Sequence, residues 1–166
     1  ITTFNTGSSP DEIGIKFKLP GPVIAAGAEF YGRIFENADI VLYDSDGTTV
    51  LGTVSIDKDT GLSGGSADVV SGGFFSATAN LLANTWYTLA VKPTTVTNIR
   101  LYEWVPSVAA WLDQMSGGQN VIKRSRTDAG AWTDDGARRP TVYLVCQGFD
   151  DGDSGGFLNR GFLKAA

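Results

Sequence analysis

The chain has no histidine and only one cysteine among its 166 residues. Without histidine it lacks the usual base for activating a serine nucleophile and the usual zinc ligand set, and a lone cysteine cannot close an intrachain disulfide. Charge is also sparse. Asp, Glu, Lys and Arg together make up 19% of the chain, and the glutamates are confined to Glu12, Glu29, Glu36 and Glu103. Helices lose two of their favoured surface residues when Glu and Lys are this scarce. The formal net charge of −5 and a sequence pI near 4.6 repel a phosphate backbone, so nucleic acid is not an expected partner. No apolar run approaches the roughly 20 residues of a membrane helix, so no membrane association is expected. No signal-peptide pattern opens the chain, which starts at Ile1 as a processed chain or a fragment would.

Glycine is abundant, at 21 residues, and 42% of the chain is hydrophobic. That suffices for one two-layer core and points to short strands joined by tight turns. Residues Glu12 to Leu19 alternate, with Ile13, Ile15, Phe17 and Leu19 on one face and Glu12, Gly14, Lys16 and Lys18 on the other, which predicts a half-buried strand. Further strands are predicted over Ala28 to Phe35, Asp39 to Tyr43, Thr49 to Ile56, Phe74 to Ala79, Thr85 to Lys92, Thr95 to Val105, Asn120 to Arg126 and Thr141 to Gln147. Asp44-Ser45-Asp46-Gly47 between two β-branched runs is a hairpin signal, and Thr60 to Gly73 is a glycine- and serine-rich connection. One helix is expected: Val108, Trp111, Leu112 and Met115 form a helical stripe after Ser107 as cap and before Gly117 as stop. The expected fold is all-β, an antiparallel β-sandwich of jelly-roll form with one short helix. Residues 1–147 form the sandwich, and 148–166 form a Gly/Asp-rich tail or arm, or a last part of the same domain.

Several groups invite a chemical reading. Gly152-Asp153-Ser154-Gly155-Gly156 resembles the segment around the nucleophile of chymotrypsin-like proteases, but the resemblance ends at five residues, and no histidine exists to activate Ser154. The segment is read as a turn-rich loop, and the protein as non-catalytic. Asp150, Asp151 and Asp153 crowd more carboxylates together than a turn needs, which makes them candidate Ca²⁺ ligands; Asp44 and Asp46 are a weaker pair that hairpin chemistry alone explains. No other cofactor is expected. Glu103, between Tyr102 and Trp104, is the one glutamate in the aromatic company of sugar-handling sites, but no partner acid is identifiable and an exposed strand glutamate is the simpler reading. The basic residues Lys123, Arg124, Arg126, Arg138 and Arg139 are read as solvated or matched to acidic neighbours. Cys146 is read as a small buried apolar residue.

Among the aromatics, Trp86 and Trp111 fall in periodic segments and are assigned to the core. Trp132 falls in a polar loop, Asp128 to Gly136, with no periodicity to bury it, and is read as a contact surface for a glycan, a neighbouring subunit or the domain's own surface. In the tail, Phe157 and Phe162 lie among Gly and Asp as binding residues of an arm, or as part of a final irregular strand.

Three stretches carry a resemblance: Ile15-Lys16-Phe17-Lys18-Leu19-Pro20, the hairpin Val41 to Gly52, and Leu82-Ala83-Asn84-Thr85-Trp86-Tyr87-Thr88-Leu89-Ala90-Val91. Their strand texture resembles the jelly-roll modules of bacteriophage virion proteins and is also similar to carbohydrate-binding modules. The first resemblance implies a viral structural protein located in the virion, capsid-decorating or fibre- or tail-associated (a tail fibre among these), a homo-oligomer contacting other virion subunits. The second implies a glycan-binding module of a secreted, extracellular or cell-surface protein.

Overall fold

The structure is a computed structural model that describes residues 1–58, 67–104, 120–149 and 162–163. The described residues form an antiparallel β-sandwich, as the alternating runs and close-set turns require. In chain order the strands are β1 (Thr2–Phe4), β2 (Glu12–Phe17), β3 (Val23–Ile34), β4 (Ala38–Tyr43), β5 (Val50–Ile56), β6 (Val69–Leu81) and β7 (Tyr87–Pro93). They continue with β8 (Ile99–Leu101), β9 (Glu103–Trp104), β10 (Val121–Arg126), β11 (Thr133–Asp135), β12 (Arg139–Pro140), β13 (Val142–Phe149) and β14 (Phe162–Leu163).

The first sheet is built on β3. β6 pairs along one edge of β3 from Val23 to Gly32, while β13 and then β8 share the other edge. β1 extends from β8, and β14 from β13. The second sheet has the order β11-β10-β2-β7-β4-β5, and β9 pairs with β12 beside these two layers. From β2 to β8 the chain alternates between the sheets, except at the β4–β5 hairpin. The core lies between the layers and includes Ile13, Ile15, Phe17, Phe30, Ile34, Ile40, Leu42, Leu89, Val91, Leu101 and Val142. Cys146 is buried and free, and burial raises its thiol pKa. It is therefore an apolar filler, as its strand position predicts.

Two strands run longer than the sequence pattern predicts, for related reasons. β3 begins at Val23 because β6 and β13 both pair with it from that residue on, and a bulge between Ala25 and Gly27 interrupts the alternation that would have marked it. β6 begins at Val69, inside the stretch read as a glycine-rich connection. Its glycines mark close strand approach rather than a loop: a Cβ on Gly72 would stand 2.2 Å from the Ala28 carbonyl oxygen. The 132–140 region, read as loop, contributes β11 and β12. The predicted helix at 106–115, with Trp111, lies outside the described residues.

Candidate functional site

The outer face of the second sheet gathers the chemistry that the core excludes. Strand alternation puts Glu12, Gly14 and Lys16 outward, as predicted, while the strand ends at Phe17, one residue before Lys18; the face is not simply wet. Glu12 is 2% exposed, and Gly14 is buried as well, so β2 is covered on both sides over its first half. The cover is a second, small cluster of Val41, Tyr43 and Ala90 with Trp132 packed on it.

Its polar centre is a buried ion pair. Register sets Arg126 opposite Glu12, and the Arg126 Nε donates to Glu12 Oε2 at 2.6 Å. The Tyr43 hydroxyl donates to Glu12 Oε1, also at 2.6 Å. Both carboxylate oxygens are thus occupied. Burial tends to lower the Arg126 pKa, but the Glu12 carboxylate outweighs it and the pKa is raised. The Tyr43 pKa is pushed well above its ordinary 10.0, by burial first and then by the Glu12 carboxylate it bonds. A raised tyrosine pKa contributes stability that is intact below 10.0 and is lost as pH rises beyond it, where the unfolded chain ionises first. The Tyr43→Phe variant should therefore lose less stability than the native protein between about pH 8 and about pH 11, read as urea midpoints at each pH. Equal losses would contradict this linkage.

Trp132 closes the cluster. Its Nε1 donates to the Gly47 carbonyl at 2.8 Å, its ring meets Tyr43 edge-on at 5.8 Å, and the Arg126 guanidinium lies 4.3 Å from its centroid. The tryptophan read as unburied by its loop is half-buried, because the hairpin tip and β10 supply the cover that its own segment lacks. The tip is shaped for this contact: Gly47 has φ +72°, and a Cβ there would stand 2.9 Å from the indole. Asp46 spends its carboxylate on the turn, accepting from the Thr48 and Thr49 amides and the Thr49 hydroxyl. The Thr49 hydroxyl first, then these amides, hold its pKa far below the usual carboxylate range.

Further along the same face, Arg124 and Lys16 share Asp134 at 2.7 and 3.0 Å. Beyond them Trp86 lies with the Lys16 and Lys18 ammonium groups each 5.0 Å from its ring centroid. Periodicity assigns Trp86 to the core; it is half-buried on the outside instead, one residue before β7 begins. The signal that marks it is the outward parity of Lys16 and Lys18. No family model, curated protein or solved structure matches this chain.

The other candidates fall elsewhere. Glu103 is not an exposed strand residue: its side chain is 1% exposed and is paired with Lys123 at 2.6 Å and Arg138 at 3.3 Å. Burial alone would raise its pKa, but the bonds from Lys123 and Thr2 and the Lys123 charge hold it low. A carboxyl held ionised in this way has no proton to give a leaving group at neutral pH. Lys123, Arg124 and Arg126 are each matched to an acid, the second of the two alternatives that the sequence offers. Among the described residues no group of three potential metal ligands occurs. Asp150, Asp151, Asp153, Ser154 and Phe157 lie outside the described residues. The backbone of Phe162 pairs with Val145 of β13 in the same chain.

Proposed function

We propose that this chain is a non-catalytic structural module of a bacteriophage virion, capsid-decorating or fibre- or tail-associated, acting through contacts between its own copies and with neighbouring subunits. The strand resemblance and the sandwich architecture support this reading, and the character of β6 supports it most. From Val69 to Val91 no residue carries a charge. Within that run Phe74 is 71% exposed, Leu82 64% and Val70 42%. Single exposed apolar residues are ordinary, but natural proteins protect a long strand with one hydrogen-bonded neighbour by placing charge on it. β6 runs for 13 residues, pairs only with β3 among the described residues, and has none.

A second copy of the chain is the occupant that the charge distribution favours. Two copies of a molecule with net charge −5 repel at most approaches. An uncharged strip lets them meet in a two-fold contact without opposing like charges. The native protein should form a defined oligomer by light scattering after gel filtration, and Phe74→Ser should weaken association by about tenfold or more. A native protein that stays monomeric at high concentration, or an oligomer indifferent to Phe74→Ser, would count against this reading.

A further inference from the structure

We infer that the Lys16, Trp86 and Lys18 end of the second sheet's outer face is a binding site for an acidic polysaccharide, one whose sugars carry carboxylates. The site lies on the opposite sheet from Phe74 and does not rest on the assembly reading.

The geometry places an aromatic plate among cations. Lys16, in β2, and Lys18, one residue past the end of that strand, reach the same indole from the outer face of the sheet. Trp86 lies within 5.0 Å of both ammonium groups. Nearby, one carboxylate, Asp134, bonds both Lys16 and Arg124. Lys18 has no carboxylate partner among the described residues. A surplus of positive charge therefore sits beside an indole on a molecule whose net charge is −5.

That pairing fits a uronic-acid sugar better than the alternatives. The C–H face of a pyranose packs against an aromatic ring, and its carboxylate takes a charge-assisted bond from an ammonium group. A lysine near a ring at the surface gains only about 0.5–1 kcal/mol, so Lys18, which no carboxylate holds among the described residues, turns from the half-buried indole to an arriving carboxylate at little cost. A neutral sugar offers them nothing in return. A nucleic acid needs many phosphates neutralised for its affinity, and three cations on an acidic domain do not supply that.

The test is calorimetric titration of the intact chain with short oligogalacturonates, cellohexaose and oligo-dT, with circular dichroism of each variant as a check of folding. The galacturonate should bind and the other two should not. Trp86→Ala and Lys18→Glu should each weaken binding by about tenfold or more, while Phe74→Ser leaves it unchanged. Lys18→Glu changes only a half-buried side chain, so it keeps the test decisive if Trp86→Ala unfolds the protein. The proposal is overturned if the native protein ignores galacturonate, if cellohexaose or oligo-dT binds as well, or if folded Lys18→Glu binds undiminished.

Discussion

Replacing Glu12 with alanine is expected to cost about 3–5 kcal/mol of stability, the range for removing one partner of a buried ion pair. The cost comes less from the lost attraction than from what stays behind. Arg126 is 7% exposed, and without Glu12 its guanidinium is a buried charge that, among the described residues, meets the Gly47 carbonyl and two aromatic rings. The Tyr43 hydroxyl loses its acceptor in the same step. In a domain of this size the melting temperature should fall by about 10 °C, with the urea midpoint moving in parallel. A double variant, Glu12→Leu with Arg126→Leu, should recover much of the loss, since replacing both partners removes the uncompensated charge. A Glu12→Ala protein as stable as the native one would mean that Arg126 reaches water without penalty, and the cluster would then be only a surface feature.

This ion pair also shows where sequence reading stops. The alternation of Ile13, Ile15 and Phe17 is local, so it reveals the strand and its core face directly. The fate of Glu12 on the opposite face depends on Arg126, 114 residues away, and on the tip of a hairpin formed by residues between them. No window of sequence contains those partners. The two tryptophans differ from expectation for the same reason. Trp86 follows a strand-like pattern yet lies against Lys16 of a neighbouring strand and Lys18 just past its end, and Trp132 lies in a polar loop yet packs on Tyr43 and Arg126. Local periodicity reports what a segment does to itself, whereas both indoles are placed by pairing in the second sheet. The hairpin at Asp44 to Gly47 was legible because its chemistry is self-contained: Asp46 bonds residues two and three positions on. Gly72 differs from expectation because a glycine in a turn and a glycine under a partner strand look alike in one dimension.

Gly14 makes that last point quantitative. It lies in the middle of the second sheet, opposite Ala90 on β7 and Arg124 on β10. A Cβ added there would stand 2.0 Å from the Leu89 carbonyl oxygen and 2.4 Å from the Ala90 Cα, both backbone atoms that cannot swing aside. Gly14→Ala should therefore force β2 and β7 apart and cost about 3 kcal/mol or more, the upper range for overpacking. The damage should spread outward, because Ala90 is the floor on which Val41, Tyr43 and Trp132 pack. A useful contrast is Gly136, in the turn after β11, where an added Cβ meets nothing within 4 Å. Gly136→Ala should change stability by no more than about 0.5 kcal/mol, as is usual for a surface change. Urea titration of the two variants in parallel separates close packing from simple glycine flexibility. Similar small effects at both sites would show that the β2–β7 spacing yields to a methyl group. A large loss at Gly14 alone would mean that the outer-face cluster depends on two strands meeting more closely than any other residue allows.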